Sequence, residues 1–401
     1  MGETLWLFVS GKADRKGNEE MAISKKVKSV LNGSSWIRRM FEEGEELKRI
    51  HGVENVFDFS LGNPDVEPPA SLKKELKALA DNPILGMHRY MANSGYSETR
   101  SEIATVLSEE SNIPFNENHI VMTAGAAGGL NVVLKALLDE GEEVIVPSPY
   151  FMEYRFYIDN SGGKLRLVET KEDFSLDVDA IEKAIDTKTK AILINSPNNP
   201  TGVVYSHESL VALGRMLERK SHQMGKTIYL LSDEAYKRIV YDHITLPVIF
   251  HYYPHTVRVT SHSKDLALAG ERIGYIAVSP KCEEIDELIS ALVFANRTLG
   301  FVNAPALMQR LVASLQKNSV DIRVYEERRD LFYNALTAFG YRVVKPQGAF
   351  YLFPKAPIED EVAFVKELQE KRILVVPGRG FGKPGHFRIA YCVDKKMIEK
   401  A

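Results

Sequence analysis

Three segments of the sequence carry groups that can act as nucleophiles, move protons or bind anions, and each follows a short apolar run. They are residues 195–202, 232–236 and 261–275. The last of them holds Lys264 and, eight residues later, Arg272. Because ligands of open α/β sheets bind beyond the carboxyl ends of the strands, we expect the three segments to converge on one crevice.

A fourth segment, residues 123–129, is rich in glycine and alanine and precedes a pattern that predicts a helix over residues 130–138. Small residues at a helix start let backbone N–H groups approach an anion, and the helix dipole favours the negative charge. Gly125, Ala126 and Ala127 are therefore candidates for an anion cradle.

Together these groups meet the chemical needs of pyridoxal 5′-phosphate (PLP). Its phosphate suits a helix N-terminus, and its aldehyde reacts with a lysine that the protein keeps nucleophilic. A carboxylate facing its ring nitrogen keeps that nitrogen protonated, which makes the ring an electron sink. Hydrogen-bond donors stabilise its phenolic oxygen as an anion. The sequence predicts PLP as the cofactor.

The elements that must position these groups alternate between strands and helices. Short runs rich in β-branched residues predict strands over residues 144–146, 191–194, 228–231, 257–260 and 273–278. Helical patterns such as residues 210–224 lie between them. This alternation predicts an α/β fold with a mostly parallel sheet that is covered on both faces.

The last hundred residues have another pattern. One helix is predicted over residues 305–339, followed by short apolar runs and a further helix over 361–371. The chain of 401 residues exceeds the usual ~100–200 residues per domain. We predict a large cofactor-binding domain over residues 68–304 and a small α+β domain from residues 21–67 and 305–401. Residues 1–20 are predicted to be a disordered tail, with Met21 as an alternative start.

Composition argues against several functional classes. The 51 basic and 54 acidic residues are well mixed, so no concentrated basic face indicates a nucleic-acid partner. No apolar run approaches the ~18 residues of a membrane span. Cys282 and Cys392 form neither a CxxC pair nor a cluster with histidines, which argues against a metal site or disulfides and fits a cytoplasmic location.

The chain resembles the fold-type I PLP-dependent aminotransferases of class I and II, the aspartate aminotransferase superfamily, over residues 30–392. The resemblance rests on four motifs in one order: Asn199-Pro-Thr-Gly, Asp233-Glu-Ala-Tyr, Ser261-x-Ser263-Lys264 with Arg272 eight residues on, and Gly274-Tyr275. It implies a mostly parallel central sheet with helices on both faces, plus a smaller α+β domain.

The resemblance also implies roles for single residues. Lys264 is implied to bond covalently to the cofactor and to move the substrate α-proton. Asp233 is implied to pair with the ring nitrogen, while Asn199 and Tyr236 bond the phenolic oxygen. Lys264, Asp233 and Tyr236 are accordingly the predicted catalytic residues.

The phosphate is implied to bind Ser261, Arg272 and the backbone of Gly125, Ala126 and Ala127, while Phe151 stacks on the ring. Tyr90 resembles a tyrosine that reaches the phosphate of the neighbouring subunit, which implies a homodimer with shared active sites.

The substrate carboxylate is implied to bind Arg388, near Asn199 and the backbone of Gly62. Arg388 lies within an apolar strand, where an unpaired charge is costly, so it needs an anionic partner. Arg297 lies near the place where dicarboxylate-specific members contribute an arginine from the partner subunit, although a surface or interface role is the preferred explanation. Ala127 occupies a position where some bacterial relatives have a carboxylate-binding lysine.

The predicted activity is transfer of an amino group from an L-amino acid of the aspartate, aromatic or alanine type to a 2-oxo acid such as 2-oxoglutarate. Two alternatives remain: a PLP-dependent Cβ–S lyase or β-eliminating enzyme on the same fold, and a non-catalytic PLP-binding regulatory module. Taken singly, the motifs also have structural explanations, since Asn-Pro forms turns and an aspartate can cap a helix. The chain ends about where the family begins its last helix, so we expect that helix to be shortened.

Overall fold

The computed structural model describes residues 23–31 and 36–401. The predictions of a disordered tail over residues 1–20 and of Met21 as an alternative start therefore lie outside the described residues. Within the described ranges, no helix is long and apolar enough to cross a membrane.

Helices and strands alternate through the middle of the chain. The helices are α1 (Lys25–Leu31), α2 (Trp36–His51), α3 (Ala70–Asp81), α4 (Ser97–Ser111), α5 (Gly125–Leu137), α6 (Glu153–Asn160), α7 (Val178–Ala184), α8 (His207–Met224), α9 (Ile285–Thr298), α10 (Ala306–Ala313), α11 (Arg323–Ala338), α12 (Glu361–Glu370) and α13 (Lys395–Lys400). The strands are β1 (Phe57–Asp58), β2 (Ile120–Thr123), β3 (Glu143–Ser148), β4 (Lys164–Glu169), β5 (Thr189–Asn195), β6 (Tyr229–Asp233), β7 (Thr256–Ser261), β8 (Gly274–Val278), β9 (Tyr351–Leu352), β10 (Ile373–Leu374), β11 (Val376–Pro377) and β12 (Phe387–Ala390).

The central sheet has seven strands in the order β2-β8-β7-β6-β5-β3-β4. The pairs from β7 to β4 are parallel, and only β8 runs against its neighbours β7 and β2. Because β5, β6 and β7 are parallel neighbours, their carboxyl ends open at the same edge of the sheet. The predicted mostly parallel α/β fold is confirmed.

Both faces of the sheet are buried beneath helices. Along β5, Ile192 and Ile194 join an apolar cluster that includes Leu213 of α8. Leu193 joins a second cluster, which includes Leu134 of α5. Since side chains alternate between the two faces of a strand, a strand that is buried on both sides must be apolar throughout. This explains the continuous apolar runs in the sequence.

Two smaller sheets lie outside the central one. Strands β1 and β10 pair in parallel, and β11-β12-β9 form an antiparallel sheet. Strand β12 carries Arg388, which pairs in register with Val376 of β11. The N-terminal β1 thus pairs with a strand from the C-terminal part of the chain. The domain boundaries at residues 68 and 304 stay a prediction.

Two predicted helix boundaries are wrong. The helix expected over residues 305–339 is two helices, α10 and α11, separated by residues 314–322. Within this break the backbone N–H of Val320 donates to the carbonyl of Asp265, 2.7 Å away, so a tertiary contact takes the place of helical bonding. Helix α5 begins at Gly125 rather than at residue 130, so the small residues form its first turn.

Candidate active site

A cavity of about 800 Å³ lies at the carboxyl ends of the central parallel strands. Asn195 and Asp233 are the last residues of β5 and β6 and are paired in register, and Ser261 ends the neighbouring β7. The predicted site residues that line the cavity are Gly62, Ala126, Ala127, Phe151, Asn199, Asp233, Tyr236, Ser261, Lys264, Arg272 and Arg388. Tertiary structure thus brings together residues that are up to 326 positions apart in the chain (62 to 388).

Asp233 forms a buried carboxylate at one end of the cavity. One carboxylate oxygen accepts a hydrogen bond from the Tyr154 hydroxyl at 2.5 Å, and the other accepts from the backbone N–H of Ala235 at 3.2 Å. Burial raises the pKa of Asp233 to about 6, although both hydrogen bonds act to lower it. A cation placed beside this carboxylate would keep it ionised.

Lys264 lies three residues beyond the end of β7 and projects its amine into the cavity. The amine donates to the carbonyl of Gly62 at 2.9 Å and lies 5.4 Å from the centre of the Phe350 ring. Burial lowers the pKa of Lys264 to about 8, and the positive charges of Arg272 and Arg388 act in the same direction. A substantial fraction of this amine is therefore neutral and nucleophilic near physiological pH.

Arg388 is 2% exposed, and its guanidinium contacts only neutral groups among the described residues. It donates to the Asn199 side-chain oxygen at 3.1 Å and to the carbonyl of Ser60. The guanidinium carbon lies 4.6 Å from the Tyr351 ring centre and 4.7 Å from that of Phe381. Its Nε has no hydrogen-bond partner in the part of the chain that the structure describes, and burial lowers the pKa of Arg388. The site holds a positive charge for which the described chain supplies no anion.

Arg272 and the start of α5 form a second group of hydrogen-bond donors beside the cavity. Arg272 has a left-handed backbone conformation (φ 52°), and its guanidinium donates to the carbonyl of Ala269 at 2.9 Å. It forms no ion pair with a described carboxylate. A Cβ atom at Gly125 (φ 70°) would lie 2.9 Å from this guanidinium, so glycine keeps the approach open. Ala126 and Ala127, next in the helix, line the cavity beside it.

Tyr236 and Asn199 both line the cavity but do not bond each other. The Tyr236 hydroxyl lies 2.8 Å from the Tyr351 hydroxyl, while the Asn199 side chain accepts from Arg388. Gly62 packs against Tyr351, and a Cβ atom there would lie 1.9 Å from the tyrosine hydroxyl. Any residue with a Cβ atom at position 62 would clash with Tyr351, so this position requires glycine.

Three predicted residues lie at the edge of the site or outside it. Gly125 is the first residue of α5 and does not itself line the cavity. Tyr90 is 90% exposed and does not line the cavity of its own chain. Arg297 is exposed on α9, with its guanidinium 5.5 Å from the Phe294 ring centre, and it too lies outside this cavity. Tyr90 and Arg297 can act in a site only if they reach that of another subunit.

Sequence reasoning missed Tyr154, Tyr351 and Glu153. Tyr154 follows Phe151 by three positions, and the two rings pack edge to face with centres 5.6 Å apart. That spacing could have placed Tyr154 near the site, but its contact with Asp233 spans 79 positions and has no sequence signal. Among the described residues, no group of histidine, cysteine, aspartate and glutamate side chains is arranged to hold a metal ion.

Comparison with known proteins identifies the family of this chain. Residues 54–401 match the family model "Aminotransferase class I and II". The chain is 33% identical over 357 residues to a probable aspartate aminotransferase of Methanocaldococcus jannaschii, covering 86% of this chain and 91% of that protein. It is 31% identical to an aromatic-amino-acid aminotransferase 2 of Thermococcus litoralis, covering 95% of this chain and 96% of that protein.

Solved structures give the same result. An amino transferase from Eubacterium rectale superposes with a TM-score of 0.91 at 40% identity, covering 94% of this chain and 96% of that one. The aspartate aminotransferase of Thermus thermophilus with maleate superposes with a TM-score of 0.83 at 30% identity, covering 95% and 97%. The chain therefore belongs to the class I and II aminotransferases, and it is an aminotransferase, as its motifs predicted.

Proposed function

We propose that the cavity binds PLP and that the chain uses it to transfer the amino group of an L-amino acid to a 2-oxo acid. The observation that carries this proposal is the position of the Lys264 amine in the cavity. Lys264 is the one lysine lining the cavity in the described part of the chain, and burial lowers its pKa to about 8, with the charges of Arg272 and Arg388 acting in the same direction. When bound, PLP supplies an electron-withdrawing ring that stabilises negative charge at the substrate α-carbon.

The residues present fit this cofactor. Asp233 offers a buried carboxylate without a cationic partner among the described residues, which suits a protonated ring nitrogen. Arg272, Ser261 and the first turn of α5 offer a cation, a hydroxyl and backbone N–H groups, which suit a phosphate. Tyr236 and Asn199 would serve the phenolic oxygen, and Phe151 the ring face.

Arg388 would bind the substrate α-carboxylate. Its planar guanidinium can donate two parallel hydrogen bonds to one carboxylate, which a lysine cannot reproduce. Asn199 and the carbonyl of Ser60 hold the guanidinium in place before any anion arrives. With the carboxylate fixed there, Lys264 can accept the α-proton and return it, because its pKa lies near the pH of the medium.

The decisive experiment compares Lys264→Ala with Lys281→Ala, a control at an exposed lysine outside the cavity. We expect Lys264→Ala to lower kcat at least about a thousandfold. Borohydride treatment of the wild-type holoenzyme and of Lys281→Ala should fix the cofactor to a peptide that contains position 264. Label at another lysine, or normal turnover by Lys264→Ala, would contradict the proposal.

We also infer a homodimer with shared sites. Leu85 is 95% exposed, Tyr90 90% and Phe294 59%, so large apolar side chains lie uncovered on a single chain. Tyr90 would then complete the phosphate site of the partner. Mixing Lys264→Ala with Tyr90→Ala should restore activity, since each hybrid dimer keeps one intact site. A mixture as inactive as its components would contradict shared sites.

The two buried cysteines, which form no disulfide, support a cytoplasmic location.

A further inference from the structure

Glu153 is an acidic group in the cavity wall that the proposed function does not use. Together with Asp233 it is one of two acidic side chains lining the cavity in the described part of the chain. It is the first residue of α6 and is half-buried. Unlike Asp233, its carboxylate has no hydrogen bond or ion pair with any described residue.

The cavity wall that contains Glu153 also has apolar members. Leu61, Phe151 and Phe156 line the same cavity. Burial raises the pKa of Glu153. Tyr157 lies one helical turn further along α6. Burial is the main cause that raises the pKa of Tyr157, and the negative charge of Glu153 is the second. Glu153 and Tyr157 thus place an acceptor and a phenol on the cavity side of α6.

The cations that line the cavity are all engaged. In the described part of the chain they are Lys264, Arg272 and Arg388, and the proposed function, on which this inference rests, assigns each to the cofactor or the α-carboxylate. No described cation of this chain remains in the cavity for a second substrate carboxylate. Besides Asp233, Glu153 is the acidic group that lines the cavity in the described part of the chain, and its charge would repel a second carboxylate that approached it.

We propose that Glu153 determines substrate specificity, selecting side chains that end in a hydrogen-bond donor on an apolar stem and rejecting those that end in a carboxylate. The two sources of such a donor are a phenol or indole and an alkyl ammonium. Both would satisfy the unpartnered carboxylate, and in both the stem would pack on apolar walls. An acidic side chain would be repelled, because a like charge in a partly desolvated site has no compensating partner.

The test uses analogues that lack an α-amino group, so that binding is measured without transfer of an α-amino group. Calorimetry on the PLP-reconstituted holoenzyme would compare 3-(4-hydroxyphenyl)propanoate with 3-phenylpropanoate, and 6-aminohexanoate with glutarate. Glu153→Gln removes the charge, and Glu153→Met removes both the charge and the acceptor at similar volume. Glu172→Gln is the matched control, since it removes the same charge at an exposed position outside the cavity.

We expect the wild type and Glu172→Gln to prefer the analogue that carries the donor in at least one pair by about tenfold. Glu153→Met should abolish that preference, and Glu153→Gln should bind glutarate about tenfold more tightly than the wild type does. The pair with the larger loss identifies the neutral or the cationic donor as the physiological class.

Unchanged preferences in both Glu153 variants would overturn the proposal. An acidic residue in the first turn also stabilises its helix. If Glu153 had only this role, its two variants would have a lower melting temperature and unchanged binding ratios. Tighter wild-type binding of glutarate, lost in Arg297→Met, would overturn it as well. Failure of the proposed function is seen separately in the Lys264→Ala experiment, because these analogues do not depend on turnover.

Discussion

Two arginines in strands, Arg258 of β7 and Arg388 of β12, are buried almost equally, at 4% and 2% exposure. Both lie against two aromatic rings, and both leave Nε without a hydrogen-bond partner. They differ in charge compensation. Arg258 lies 3.5 Å from the carboxylate of Glu234 and also bonds the Tyr275 hydroxyl, whereas Arg388 bonds only neutral oxygens.

The pKa values follow this difference. Burial acts to lower the pKa of Arg258, yet that pKa is raised, because Tyr275, Glu234 and Glu110 together outweigh burial. Burial lowers the pKa of Arg388 and no carboxylate opposes it. One arginine is compensated within the fold and the other is compensated by nothing in the described chain. A buried cation without an anion is therefore a better sign of a binding site than burial or aromatic contact.

The largest effect is expected from Arg388→Met. Loss of the carboxylate-binding guanidinium should lower kcat/KM by about a thousandfold, chiefly through KM. Apoprotein stability should stay level or rise, because an uncompensated buried charge is removed. Steady-state kinetics and urea unfolding would measure the two effects. Arg388→Lys keeps the positive charge but loses the paired donors of the guanidinium, so its kcat/KM should remain well below that of the wild type. A large loss of stability in Arg388→Met would show that the fold does compensate this charge.

Arg258→Met should show the opposite pattern. It leaves the Glu234 carboxylate buried and unpaired, which should cost about 3–5 kcal/mol of unfolding free energy. The KM for amino acids should change far less than in Arg388→Met, since Arg258 does not line the cavity. The double variant Arg258→Met/Glu234→Gln should regain most of the lost stability in urea unfolding. A double variant as unstable as the single one would show that Glu234 is not the partner that matters.

Asp233 is the anionic counterpart of Arg388: its buried carboxylate accepts hydrogen bonds but has no cationic partner among the described residues. Its folded-state pKa of about 6 exceeds the ordinary 3.8, so the folded chain keeps a proton that the unfolded chain has lost. Stability of the apoprotein should therefore fall as the pH rises from about 4 to about 6, and level off above. Relative to Asp233→Asn, the loss should be at most about 3 kcal/mol. Parallel pH profiles of urea unfolding for the two proteins would contradict this.

The smallest effect is expected from Tyr351→Phe. This variant keeps the ring against Arg388 but removes the hydroxyl that lies 2.8 Å from that of Tyr236. Losing one neutral hydrogen bond corresponds to about 1 kcal/mol, or roughly a fivefold decrease in kcat/KM. Tyr351→Leu, which also removes the ring, should raise KM further if the aromatic contact positions Arg388. Equal KM values in the two variants would show that it does not.

Much of the fold was predictable because its cause is local. The strands of the central sheet are buried on both faces, so each appears in the sequence as an apolar run that ends in polar residues. The helix predicted over residues 305–339 failed for the opposite reason. Its sequence favours one helix, but a backbone contact between Val320 and Asp265 interrupts it, and no local pattern encodes that contact.

By itself, the sequence determined the chemical groups and the strand ends that carry them, because motif spacing and apolar periodicity are properties of neighbouring residues. It placed Lys264, Asp233, Asn199, Arg272 and Arg388 among the site residues, and all five line one cavity. Only the tertiary structure decided which charges are compensated. Tyr154 beside Asp233, Tyr351 beside Arg388 and the unpartnered carboxylate of Glu153 depend on contacts between distant segments. Electrostatic compensation acts through space, and distance along the chain does not record it.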